Sequence, residues 1–221
     1  MKKNNKKFIR NFMTDYNNIV RELYEKEMIR DIKCHVTSDL GEVVEITHEN
    51  KSNESNILYD RHLPIETIMD ILLENKEYNL LLYDRSIIKY QFTIKNGKIC
   101  KERLIFIKKH NYLWTKDEIN KKDIDDFGTD WFQEEISIPI VIRIDYDDEN
   151  YEDIVHPITH MTLSNYEECR IPMMGAVTLY NFINFILNFF YNDSLNCSSV
   201  FEETDITISQ NEKKRLHFEW E

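Results

Sequence analysis

Glycine, proline and cysteine are all scarce in this sequence, and each scarcity excludes a class of protein. Only four Gly and four Pro occur among 221 residues, which excludes collagen-like repeats, Pro/Gly-rich linkers and glycine-loop architectures. The four Cys lie far apart, with no C-x-x-C spacing, so a zinc site built from cysteines is not expected. We expect reduced thiols in a cytoplasmic protein.

Long apolar segments and enzyme fingerprints are missing as well. The most apolar stretch, residues 179–191, has 13 residues and is broken by three Asn, whereas a membrane-spanning helix needs about 20. The basic start, residues 1–8, is not followed by the apolar region of a signal peptide. No P-loop, dinucleotide fingerprint or G-x-S-x-G motif occurs. We therefore expect no membrane association and no cofactor.

Negative charge dominates the composition but is distributed unevenly. The formal net charge is −12, which argues against a protein that coats nucleic acid over its whole surface. Residues 117–153 contain 14 acidic and 3 basic side chains, and residues 85–116 contain nine basic and one acidic. We call residues 85–116 the basic hairpin. The overall negative charge therefore does not exclude a local cationic surface on the basic hairpin.

The sequence pattern predicts an α+β fold. Hydrophobic residues make up 42% of the chain, enough for a core and too many for a disordered chain. Apolar residues recur at helical spacing over residues 4–28, and Pro64 opens a short internal helix. The apolar residues 178–191 predict a C-terminal helix that packs on a sheet.

The middle of the chain predicts a mainly antiparallel sheet. Residues 88–94 alternate apolar and polar, and Asn96-Gly97 follows, a strong hairpin signal. The run Leu104-Ile105-Phe106-Ile107 is apolar on both faces and predicts a central strand. We expect one domain over residues 1–221, with the sheet core at about 78–163, an irregular excursion at 108–135 and a further strand near Thr207 or Leu216.

The basic hairpin has one functional and two structural interpretations. Cations interleaved with aromatic residues are typical of nucleic-acid surfaces. The alternatives are a solvated sheet face with extended lysines, or pairing of the hairpin with the acidic residues 117–153. The candidate nucleic-acid contacts are Lys89, Lys98, Lys101 and Arg103.

Two histidines supply the candidate active site. His156 and His160 would point to the same face of an extended strand, roughly 13 Å apart, so their meeting requires a bend, which Pro157 could supply. As acid and base they could act on a phosphodiester, with Arg170 holding the anion. Ordinary hydrogen-bonded histidines and a structural arginine are the alternatives.

Two further arrangements of the histidines are open. A metal site would need a carboxylate from Asp145 or Asp147, and whether a metal binds is unknown from the sequence. The segment His160-Met161-Thr162 also repeats as His35-Val36-Thr37. These six residues look like the paired H-x-T motifs of the two-histidine phosphoesterase superfamily.

Several segments together resemble an uncharacterised bacterial family, catalogued as domain of unknown function 2290. They are Tyr90-x-Phe92, Arg103-Leu104, His156-Pro-x-x-His160, Cys169-Arg-Ile-Pro172 and the Phe-Phe-Tyr191 helix end, mostly within residues 137–191. The resemblance implies no activity. It implies that the genes of family members lie near mobile elements or phage-defence systems. It also implies that His156, His160 and Arg170 are signature positions of the family.

Three functions follow as expectations. The first is an accessory or interaction component of a multi-gene system in the bacterial cytoplasm, which would have a protein partner or form an oligomer. The second is a hydrolase or nuclease that acts on phosphodiesters through His156 and His160. The third is a nucleic-acid-binding module that uses the basic hairpin.

Overall fold

The computed structural model describes residues 3–33, 35–39, 41–48, 62–108, 139–164, 168–201 and 205–217. Four helices and nine strands occur within this part of the chain, and the predicted α+β class is confirmed. The helices are α1 (Lys3–Glu25), α2 (Ile65–Glu74), α3 (Leu179–Phe190) and α4 (Gln210–Leu216). The strands are β1 (Ile29–Ile32), β2 (His35–Asp39), β3 (Val43–His48), β4 (Leu80–Leu82), β5 (Ile87–Lys95), β6 (Lys98–Lys108), β7 (Ile140–Asp147), β8 (Thr159–Leu163) and β9 (Ile171–Pro172).

All nine strands form one antiparallel sheet. Its main order is β1-β4-β5-β6-β7-β8-β9, and the β2–β3 pair joins it by bonding β3 to the second half of β5. The predicted hairpin joins β5 to β6, where Asn96 has φ 54° and Gly97 has φ 81°. Positive φ at both central residues is what a type I′ turn requires, and glycine and asparagine tolerate it best. β6 is a central strand, as predicted.

Helices α1 and α3 cover one face of the sheet. Apolar residues recur along α1 because a 3.6-residue turn returns every third or fourth side chain to the same side. The buried members of that stripe are Phe8, Phe12, Ile19 and Leu23. They meet the buried side chains of β5, Tyr90 and Phe92 among them, and the apolar side of α3. Thr178 caps α3 by accepting the Asn181 N–H at 3.2 Å.

Helix α2 covers only part of the opposite face. Ile68, Met69 and Leu72 pack on residues such as Ile105 and Ile107 of β6. This second cluster explains why the 104–107 run is apolar on both sides. Further along β6 the same face carries Lys101 and Arg103, and it is this polar part of the sheet that bears the candidate site.

The structure corrects several predicted boundaries. α1 ends at Glu25 rather than residue 28, because the chain turns through Glu27 at φ 56° into β1, a strand that the sequence pattern did not predict. The C-terminal segment near Thr207 and Leu216 is not a strand. Ser209 and Glu212 form a capping box and start the short helix α4 instead. The predicted excursion at 108–135 falls outside the described residues after Lys108.

Candidate phosphoester site

A row of polar side chains crosses four strands on the face opposite α1 and α3. The pairing register sets Gln91 opposite Arg103, Arg103 opposite Asp145, and Asp145 opposite His160. Residues directly opposite each other in antiparallel strands point to the same face. Their neighbours in sequence, such as Phe92, are buried on the other face. The row therefore lies along the sheet surface from β5 to β8.

A cavity of about 330 Å³ opens above this row, and we call it the β5–β8 groove. Strands β5 to β8, Glu45 of β3 and the two segments that flank β8 line it. Its charged and ionisable residues are Glu45, Lys101, Glu102, Arg103, Arg143, Asp145, Tyr146, Asp147, His156, His160 and Arg170. The groove thus brings together all three of the residues proposed from sequence as the catalytic set.

The two histidine rings lie next to each other. His156 forms an isolated antiparallel bridge with Glu152 before the chain passes Pro157 and enters β8 at Thr159. The ring centroids of His156 and His160 are 4.8 Å apart, with an interplanar angle of 72°. A fully extended strand would hold these positions much farther apart, so the turn ahead of β8 produces the contact.

His160 is held in one tautomer. Its ring is buried, with 3% of the residue exposed. Nδ1 lies 2.9 Å from the carbonyl oxygen of Pro157, and because a carbonyl oxygen only accepts, Nδ1 carries the proton. In the neutral ring Nε2 then holds the lone pair. Burial lowers the pKa of His160, against the opposing effects of the Pro157 hydrogen bond and the Asp145 charge, so the neutral form is favoured.

His156 occupies a different environment. It is half-buried, and its buried Nδ1 has no hydrogen-bond partner among the described residues. The carboxylate of Asp147 lies close enough to interact with its charge. Burial acts to raise the pKa of Asp147, but hydrogen bonds from Asn150 and the Glu149 N–H outweigh it, and the charges of Lys101 and His156 lower that pKa further. One histidine is thus buried and neutral, and the other faces a carboxylate.

Asp145 joins two arginines on the floor of the groove. Arg103 Nε donates to one carboxylate oxygen at 2.7 Å, and Arg143 Nε donates to the other at 2.6 Å. The carboxylate side chain is 10% exposed. Sequence reasoning missed Arg143, although the alternation of β7 could have found it, because Ile142 and Ile144 point into the core between the polar residues.

Arg170 is placed differently from the other cations. It precedes β9 and lines the groove on the histidine side, where its charge interacts with His160. Within the described ranges, no carboxylate lies in ion-pair contact with its side chain. The sequence also suggested a structural role, in which Arg170 pairs with acidic residues of a neighbouring turn. No such ion pair is present among the described residues.

The four candidate nucleic-acid contacts are all engaged in ion pairs. Lys98 pairs with Asp205 at 2.6 Å, and Lys101 pairs with Glu149 at 2.6 Å. Arg103 pairs with Asp145, as above. Lys89 is buried and pairs with Glu77 at 3.4 Å. The aromatic residues of the hairpin that the structure describes, Tyr90, Phe92 and Phe106, lie in the core, where no base can stack on them.

Glu102 is a buried carboxyl at the back of the groove. Both of its oxygens accept the Val177 N–H, at 2.9 and 3.0 Å. Complete burial raises its pKa well above the ordinary value of 4.5, against that hydrogen bond and with help from the Asp145 charge. The carboxyl therefore stays protonated in the folded protein at pH values where it ionises in the unfolded chain.

We predict that Glu102→Gln becomes progressively more stable than the wild type as pH rises above about 4.5. The unfolded wild type binds fewer protons than the folded state in that range, so its free energy of unfolding falls by about 1.4 kcal/mol per pH unit until the native pKa is passed. Urea unfolding at several pH values measures the difference. Glu25→Gln, at an exposed site on α1, is the control, and a pH-independent difference for Glu102→Gln would contradict the prediction.

Two other arrangements open from the sequence are not present in the described ranges. His35 contacts Phe12 and the sulfur of Met13 on the α1 face, so it lies on the opposite side of the sheet from His160, and the two H-x-T segments do not share a site. The described residues contain no group of three or more His, Cys, Asp or Glu that could hold a metal ion.

None of the described helices is long and apolar enough to cross a membrane.

Comparison with known proteins gives one match. The family model described as "Uncharacterized conserved protein (DUF2290)" matches residues 28–220, which include all nine strands of the sheet and helices α2 to α4 but not α1. No curated protein and no solved structure matches the chain. The matched range covers most of the sequence and both histidines of the groove. The chain belongs to the DUF2290 family of uncharacterized conserved proteins.

Proposed function

We propose that the β5–β8 groove is the active site of a phosphodiester hydrolase. The observation that carries the proposal is the contact between the imidazole rings of His156 and His160, which lie in different environments. Arg170 lies beside them, and within the described ranges no carboxylate pairs with its side chain. Pairs of titratable groups whose environments differ are typical of acid–base catalysis. The expectation of an accessory role in a mobile-element or phage-defence system stays a prediction.

The two histidines divide the proton transfers. His160 Nε2 takes a proton from a water molecule as its oxygen attacks phosphorus. His156, on the side of Asp147, gives a proton to the leaving alkoxide as the P–O bond breaks. The products are a phosphomonoester and an alcohol, and a return of the proton from His160 to His156 through solvent restores the site.

A purely structural role for these residues explains less of the geometry. The bond from His160 to the Pro157 carbonyl would serve a scaffold equally well. It does not account for His156, whose Nδ1 is buried without a partner among the described residues, since buried polar atoms in folded proteins usually have a hydrogen-bond partner. A structural role also does not account for Arg170, which lines the groove and has no ion pair with a carboxylate among the described residues.

We predict that Arg170→Gln lowers kcat/KM for bis(p-nitrophenyl) phosphate by about 10- to 100-fold, because a charge-assisted hydrogen bond contributes about 1.5–3 kcal/mol. Release of p-nitrophenol by the purified protein measures it. Arg30→Gln, at an exposed site on β1, is the matched control and keeps the wild-type value. A wild-type protein that releases no more product than the buffer would overturn the proposed function.

A further inference from the structure

The cations that β6 and β7 contribute to the β5–β8 groove already have partners. Lys101 pairs with Glu149 at 2.6 Å. Arg103 and Arg143 donate to the two oxygens of Asp145, at 2.7 and 2.6 Å, and both arginines take part in further interactions. An anion that bound to any of these three side chains would have to displace or share an existing partner.

Carboxylates lie beside the histidines on the next strand. Asp145 is directly opposite His160 in the register of β7 and β8. Asp147 lies two residues further along β7, and its charge interacts with that of His156. Neighbouring strands are about 4.8 Å apart. A phosphate held at the histidines therefore has two carboxylates one strand away, along the direction in which the groove continues.

The far end of the groove combines one further carboxylate with neutral side chains. Glu45 of β3 lines this end, together with Gln91 and Thr93 of β5. The side chains of Gln91 and Thr93 are half-buried and have no hydrogen-bond partner among the described residues. An amide and a hydroxyl each donate and accept hydrogen bonds. These two side chains are therefore suited to the hydroxyl groups of an alcohol.

Arg170 differs from the other cations of the groove. It lies on the histidine side, and within the described ranges no carboxylate is in ion-pair contact with its side chain. One guanidinium carries one positive charge, and the phosphate of a diester carries one negative charge. Repulsion of a second like charge is a common source of specificity, because it rejects a wrong ligand without improving the right one.

We propose that the β5–β8 groove selects phosphodiesters that carry a single negative charge and neutral, hydroxylated alcohols, of which a glycerol phosphodiester is the simplest example. The inference rests on the proposed hydrolysis at His156 and His160. It makes oligonucleotides poor substrates, because phosphates that neighbour the reacting one would lie against Asp145, Asp147 and Glu45.

The test compares diesters that differ in charge. Bis(glycerol) phosphate and the thymidine dinucleotide TpT each carry one phosphate, whereas TpT with a 5′- or 3′-terminal phosphate carries two. We expect the wild type to hydrolyse both singly charged diesters. We expect kcat/KM to be lower by about tenfold or more for both phosphorylated dinucleotides than for TpT, because like charges brought together strongly oppose binding. Chromatography of the released alcohols measures each rate.

A variant with one carboxylate fewer tests whether charge causes the discrimination. Glu149→Gln removes the partner of Lys101 and leaves that cation free in the groove. The discrimination against the second phosphate is expected to fall by about two- to fivefold, the effect of one exposed charge. Because the Glu149 side chain is 69% exposed, the variant is expected to fold. Glu74→Gln, at an exposed site on α2, is the control and keeps the wild-type ratio.

The outcomes separate the inference from the function on which it rests. A wild type that hydrolyses the dinucleotides and ignores or prefers the second phosphate would overturn the selection for a single charge, as would an unchanged discrimination in Glu149→Gln. Hydrolysis of TpT without hydrolysis of the glycerol diester would overturn the assigned class of alcohol. Absence of hydrolysis with all of these diesters and with bis(p-nitrophenyl) phosphate would instead overturn the proposed function.

Discussion

His160→Gln is expected to lower kcat/KM for bis(p-nitrophenyl) phosphate by about 10²–10⁴-fold, the range that a positioned general base contributes. Glutamine can keep a hydrogen bond to the Pro157 carbonyl oxygen through its amide, so the turn before β8 is retained. It has no titratable nitrogen in the position of Nε2. Release of p-nitrophenol under saturating and sub-saturating conditions separates kcat from KM, and the loss is expected in kcat.

The pH profile gives a second readout for the same residue. His160 acts as a base only when neutral, and burial lowers its pKa below the ordinary 6.5. The wild-type rate is therefore expected to fall on the acidic side as pH drops through that lowered value. The residual rate of the His160→Gln variant is expected not to show this fall at acidic pH.

A matched histidine variant controls for non-specific effects. His217 lies exposed at the end of α4, and His217→Gln is expected to leave both rate and pH profile at wild-type values. His156→Gln is expected to show a loss of the same order as His160→Gln. If His160→Gln keeps wild-type activity in a folded protein, as judged by its thermal unfolding, the assignment of the base is wrong.

Local features of the fold could be predicted from the sequence because they depend on neighbouring residues. The Asn96-Gly97 turn needs only two positive φ angles and alternating strands on either side. The α1 and α3 helices need only apolar stripes at helical spacing. β1 could not be predicted in this way, because its four residues, Ile29–Ile32, pair with β4 far along the chain, and nothing local distinguishes them.

The candidate site was predictable in part for the same reason. His156 and His160 are four residues apart, and the bend at Pro157 that joins them is a local feature. The Arg103–Asp145–Arg143 contact depends instead on the register between β6 and β7. A shift of one residue would turn Asp145 into the core, and no single segment carries that information.

Lys89 illustrates what a local pattern cannot reveal. The alternation of β5 places it with Gln91 on the polar side of the strand, which suggests an exposed cation. α2 and the residues that follow it cover this end of the sheet, so Lys89 lies 6% exposed beside Glu77, which is 3% exposed. Exposure at that position depends on where a separate helix docks.

We predict that Lys89→Met lowers the free energy of unfolding by about 3–5 kcal/mol, the usual effect of removing one partner of a buried ion pair. Burial already lowers the pKa of Lys89, and the Glu77 carboxylate opposes that shift, so the two side chains depend on each other. Methionine has a similar length and leaves no large cavity. The loss of stability is therefore attributed to the Glu77 carboxylate, which stays buried without Lys89. Urea unfolding measures the change as a lower midpoint at an unchanged slope.

The double variant Lys89→Met/Glu77→Leu distinguishes a dependence on pairing from a dependence on packing. Replacing both ions of a buried pair by apolar residues is often neutral or stabilising, so the double variant is expected to regain most of what Lys89→Met loses. Lys95→Met, on the same strand but exposed, is expected to stay within about 0.5 kcal/mol of the wild type. A Lys89→Met protein as stable as the wild type would contradict the dependence of the two buried side chains on each other.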